Sequence, residues 1–66
     1  MANYTVLSVN QKNQSPELMP YERLGDAESQ QQRAIREGRL LVEIVDTREK
    51  HEAWEQKAKQ LIASLP

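Results

Sequence analysis

The side chain best suited to moving protons near neutral pH is histidine, and this chain has one, His51. It stands one turn before Trp54, among Glu49, Glu52 and Glu55. An imidazole beside carboxylates could serve as a general base, but a base needs a nucleophile to activate. The chain has no cysteine, and no serine stands near His51. The three glutamates are interleaved with Arg48, Lys50 and Lys57. That pattern reads as a solvated helix face with i,i+4 pairs rather than as a metal site. A lone histidine without cysteine also leaves no ligand spacing for zinc. Gly25 and Gly38 are the only glycines, and neither sits in GxGxxG or GxxxxGK, so no phosphate-cradling loop is expected. These residues predict no catalytic, metal or cofactor site, and the chain is read as a non-enzyme.

Arg33, Arg36 and Arg39 make the one basic cluster. Such a patch suits an acidic protein surface or phosphates. Cations near a helix C-terminus also stabilise the helix by about 0.3–1 kcal/mol each, and the two roles are compatible. Overall, nine Lys and Arg stand against ten Asp and Glu, a net charge of −1. That balance gives no general drive toward nucleic acid or an anionic membrane. Tyr4, Tyr21 and Trp54 are too few aromatics for a base-stacking platform. The expected partner is therefore another protein.

These side chains need elements to position them. Tyr4 to Val9 is rich in β-branched and aromatic residues and predicts a strand. Asn10 to Gly25 reads as a loop with one short helical turn at Ser15-Pro16-Glu17, stopped at Pro20. A helix capped by Asp26 is expected to run to Glu37, with Gly38 at the left-handed position after it. Arg39 to Val45 predicts a second strand. Its Leu40/Val42/Ile44 face is wholly apolar, and its Leu41/Glu43/Val45 face largely so. Either helices cover both faces or one face meets a partner. Asp46 is expected to cap the last helix, with Glu49 completing a capping box. Trp54, Ala58, Leu61, Leu65 and Ile62 form its apolar stripe.

The expectation is one small domain over residues 1–66, an α+β module of two layers in the order β-α-β-α. Both helices would pack on one sheet, with a right-handed parallel crossover as the default and antiparallel pairing open. A core of this size supplies no more than ~3–5 kcal/mol, and two strands fall short of the three a stable sheet usually needs. A dimer mate or a partner's sheet edge would complete it. Arg33, Arg36, Arg39, Leu41 and Val45 are the expected contacts. No apolar run approaches the ~20 residues that span a bilayer, and no signal peptide is visible, so a cytoplasmic protein without membrane insertion is expected.

One stretch is similar to a known family. Leu18-Met19-Pro20-Tyr21, then Gln31-Gln32-Arg33 and Ile35, then Gly38-Arg39-Leu40-Leu41-Val42-Glu43-Ile44 resembles the small linker domain of phycobilisomes, found in rod-capping and core linkers. The chain departs from it in three ways. Gly38 stands alone where the family has a glycine pair, the segment from Thr47 to Leu65 has no counterpart, and the charge balance is not basic. The resemblance implies a non-catalytic plug that inserts in, or caps, a ring of larger subunits. The expected function is a protein-interaction module, with linker or capping duty as its most specific form. The alternative is a small regulator or inhibitor, for example one encoded by a mobile element, that blocks a larger host protein.

Overall fold

The computed structural model describes residues 3–65. Its elements are β1 (Tyr4–Asn10), β2 (Ser15–Tyr21), α1 (Leu24–Arg36), β3 (Leu40–Val45) and α2 (Arg48–Ser64). The strands make one sheet in the order β2-β1-β3, antiparallel at both junctions. The chain is a small α+β module. Its third strand, however, comes from the chain itself rather than from a partner, and β1 and β3 are antiparallel rather than a parallel crossover pair.

The added strand lies in residues 10–25, which form a hairpin instead of a loop with a helical turn. Two asparagines hold the hairpin turn. Asn10 Oδ1 accepts from the Lys12 N–H at 2.9 Å and Asn13 Oδ1 from the Ser15 N–H at 3.2 Å. β2 then pairs with β1 in unbroken register from Asn10↔Ser15 to Tyr4↔Tyr21. Pro16 and Pro20 disguise it, since proline has no N–H for a ladder. An edge strand tolerates proline wherever the nitrogen faces away from its neighbour.

The molecule has three layers, helix, sheet and helix, not two. Successive strand residues point to opposite faces, yet Val6, Leu7, Ser8 and Val9 are all buried. Leu7 and Val9 join Val45, Trp54 and Ala58 in a core that Leu40, Leu41, Leu61 and Ile62 extend, so α2 covers this face. Val6 and Ser8 lie on the other face, where α1 packs through its buried Ala27 and Ala34. The dimensions agree. An extent of 12 Å fits three strands spaced by about 4.8 Å. One of 26 Å leaves room for a helix of roughly 10–12 Å diameter on each side. The two apolar faces of residues 40–45 are thus covered by two helices on opposite sides, which corrects the arrangement with both helices on one face.

α1 starts two residues before the expected Asp26 cap. Arg23 occupies the cap position without a side-chain bond, and its carbonyl accepts from the Ala27 N–H at 3.2 Å. Asp26 falls in the first turn and Arg33 and Arg36 in the last, as the helix dipole favours. At the other end Gly38 takes φ +82°. Its N–H reaches the Ile35 carbonyl and the Arg39 N–H the Ala34 carbonyl, both at 3.1 Å, the paired bonds of a Schellman stop. α2 is capped by Thr47 rather than Asp46. Thr47 Oγ1 accepts from the Lys50 N–H at 3.2 Å, so Glu49 is not at the capping-box position.

A bulge in β3 connects sheet and helix. Register passes from Leu7↔Glu43 to Val9↔Leu40, so Leu41 and Val42 together oppose Ser8. Leu41 takes φ +48°, a left-handed conformation that costs a residue with a Cβ roughly 1–2 kcal/mol. Its carbonyl, turned out of the ladder, accepts the Trp54 indole N–H at 2.7 Å.

Two outcomes follow. A Cβ at Gly25 or Gly38 would meet nothing within 4 Å, so alanine at each site reports backbone preference alone. Gly38→Ala is expected to destabilise by about 1 kcal/mol or more, whereas Gly25→Ala, inside α1, stabilises by up to about 1 kcal/mol. Urea unfolding of both variants checks the opposite signs. Trp54→Phe removes the bond to Leu41 and part of the largest buried side chain, and should cost about 2–3 kcal/mol, read as a fall in thermal midpoint.

Candidate protein-interaction surface

The five expected contact residues do not form one surface. Arg33 and Arg36 are exposed on α1, and among the described residues neither pairs with a carboxylate. Arg39 is engaged. Its Nη1 donates to Glu17 Oε2 and its Nε to Glu37 Oε2 at 3.2 Å, which ties β2 to the start of β3. Glu17 Oε1 also accepts from Asn10 Nδ2 at 3.4 Å. Leu41 is half-buried against the core and Val45 is 6% exposed within it. Neither Leu41 nor Val45 therefore faces outward, because the β3 face they share is the one α2 covers.

The sheet's two outer edges differ. The Tyr21 carbonyl accepts from the Asn3 N–H at 3.1 Å, so Tyr21 points its backbone toward β1. By strand alternation Glu17 and Met19 do the same, and Pro16, Leu18 and Pro20 point theirs outward. Two of the three outward nitrogens on this edge are thus proline nitrogens, and prolines on an edge strand prevent further pairing. Tyr4, Val6 and Ser8 give their backbone to Tyr21, Met19 and Glu17 of β2. On the other side, by alternation, Thr5 and Leu7 give theirs to Val45 and Glu43 of β3, and the Val6↔Ile44 pair is not hydrogen-bonded. That turns the backbone N–H and C=O of Val42 and Ile44 outward. No turn, loop or cap hydrogen bond reaches these groups among the described residues. The β3 edge is short but open.

Apolar side chains flank it. α1 lies over β3 and β1. Its Asp26, Ser29, Gln30 and Arg33 share a shallow cleft with Tyr21 of β2, so this flank of the helix faces β2. At about 100° per residue, Leu24, Gln31 and Ile35 come to the opposite flank, toward the β3 edge. Leu24 is 45% and Ile35 52% exposed, and the half-buried Val42 and Ile44 side chains lie on the same side of the sheet. Sequence reasoning named none of the four as a contact. The signal available was the weakness of the α1 stripe, which has too few apolar residues to bury both flanks.

A second apolar feature, a groove of about 270 Å³, runs between β2 and α2 and is lined by Pro16, Leu18, Trp54, Ala58 and Ile62. His51 is at its rim, with Nε2 3.1 Å from Glu55 Oε1. No group of three or more metal-capable side chains occurs among the described residues, and no helix there is long and apolar enough to cross a membrane. Compared with known proteins, the chain matches no family model, no curated protein and no solved structure.

At the end of β3, Lys50 holds the Asp46 carboxyl below its ordinary pKa of 3.8, first through a hydrogen bond and then through its charge. The ion pair spans 2.9 Å. The folded state therefore binds this proton less readily than the unfolded chain does. The contribution is present above pH 3.8 and is lost as pH falls through the lowered folded value. An NMR titration of Asp46 should show this midpoint, and Lys50→Met should return it to the ordinary value.

Proposed function

We propose that this protein is a non-catalytic protein-binding module that docks an extended segment along the β3 edge. The observation that carries the reading is the contrast between edges, one closed by Pro16 and Pro20 and the other left with the Val42 and Ile44 backbone groups unpaired. Strand addition draws affinity from backbone hydrogen bonds and specificity from alternate side-chain contacts. Here the alternate contacts are Leu24 and Ile35 on α1, both largely exposed. Arg33 and Arg36, exposed on the other sides of α1, lie away from this edge. Linker or capping duty in a larger assembly, as the phycobilisome resemblance implies, is the most specific form of this reading. Blocking a host protein through the same edge is the other.

A strand-forming peptide of alternating valine and threonine, titrated into isotope-labelled protein, tests it. Amide shifts are expected at Val42 and Ile44 and methyl shifts at Leu24 and Ile35, with Leu18 unmoved. Saturable shifts confined to β2, or none at millimolar peptide, would contradict the reading.

A further inference from the structure

Building on the β3 edge as the docking surface, we infer that its occupant is a second copy of this chain. The copies pair β3 to β3 about a two-fold axis, so that two three-stranded sheets become one continuous sheet. Four features of the chain favour a copy of itself over an unrelated strand.

The first is register. Val42 and Ile44 are the two residues of β3 whose backbone turns outward. An antiparallel copy with its Ile44 opposite Val42, and its Val42 opposite Ile44, uses every outward N–H and C=O on both chains. The second is helix spacing. Strands lie about 4.8 Å apart, and α1 lies over both β1 and β3, about one strand spacing from the axis. The two copies of α1 then run about 10 Å apart, within the 8–10 Å range at which helices pack. A lone peptide would touch that helix flank only through alternate side chains, whereas a copy lays a whole helix against it.

The third is the flank itself. A two-fold axis reverses the helix, so Leu24 near one end meets Ile35 near the other end of its copy. Glu28 comes near Gln31 between them, as a carboxylate acceptor beside an amide donor. No like charges oppose each other in the middle of this layer. The fourth is size. A 66-residue chain without cysteine has a thin core, and association is the staple open to it. One cost accompanies the arrangement, since Glu43 lies opposite its own copy on the α2 face. Each Glu43 carboxylate has Lys57 Nζ 3.8 Å away and is 40% exposed, which offsets and solvates the repulsion.

Sedimentation equilibrium over a dilution series tests the inference, alongside amide hydrogen exchange at Val42 and Ile44. The expected result is a reversible dimer in which both amides become protected as concentration rises. Ile44→Pro removes an outward N–H as Pro16 and Pro20 do on β2, without touching a bond to β1. Ile35→Glu changes an exposed helix position and leaves the monomer's core intact. Each should weaken dimerisation at least about tenfold, the effect of 1.4 kcal/mol, with far-UV circular dichroism unchanged. A dimer insensitive to both changes would overturn the inference. So would a monomer at all concentrations whose Val42 and Ile44 amides exchange freely, although the docking reading would then stand. A monomer with those amides protected would overturn both, because the edge would not be open.

Discussion

The structure depends on one strand being buried on both of its faces. β1 sits between β2 and β3 and places Val6 and Ser8 on one side and Leu7 and Val9 on the other, all within a tenth of full exposure. In a chain this short no other element can be central, so each helix must be laid over a different face. The faces are unequal. On the α2 side Trp54 and Leu7 supply most of the buried volume, while the α1 side is made of Val6 and two alanines. Ala27 and Ala34 let α1 approach closely but contribute little area, and burial stabilises by roughly 25 cal/mol per Å² of apolar surface. The molecule therefore has one strong layer contact and one weak one. The ties at the end of the weak layer, from Arg39 to Glu17 and across the Gly38 stop, help keep α1 in place.

The same constraint shapes the edges. With β1 in the middle, β2 and β3 are both outermost, and an edge must be protected or used. β2 is protected by prolines at alternate positions. β3 is partly blunted by its bulge, because the Leu41 carbonyl leaves the ladder for the Trp54 indole. From Val42, the second bulge residue, to Ile44 the outward backbone groups lie beside half-buried sheet residues and the exposed Leu24 and Ile35 of the helix. The weak α1 layer and the open β3 edge are neighbours. A surface that covered the edge would also cover the flank that α1 leaves bare, so association at this place would add stability.

Much of this was legible in the residues. The strand at Tyr4, the strand before Val45, the helix carrying Trp54 and the left-handed glycine at 38 all have strong local signatures, and all are present. The two-faced apolar character of residues 40–45 left open either helices on both faces or a partner on one, and the expectation of both helices on one face took the wrong branch. β2 was hidden because its prolines are poor strand formers in general, and only its edge position makes them acceptable. Position in a sheet is a property of the whole fold and is not written locally. Leu41 and Val45, expected as contacts, are covered for a related reason. Leu41 and Val45 sit on an apolar strand face, but which face α2 would cover could not be decided from alternation alone. Arg39 looked free beside Arg33 and Arg36, whereas its carboxylate partner Glu17 lies 22 positions away in sequence. The α2 cap moved by one residue because Thr47 and Asp46 compete for the same role, and the α1 cap moved by three, from Asp26 to Arg23.

The claim on which the rest stands is that the two helices lie on opposite faces of the sheet. Long-range proton–proton NOEs measure this directly. The account predicts contacts from the Val6 methyls to the Ala27 and Ala34 methyls, contacts from the Leu7 methyls to the Trp54 ring, and none between Ala34 and Trp54. An NOE between Ala34 and the Trp54 ring would put both helices on one face and contradict the account.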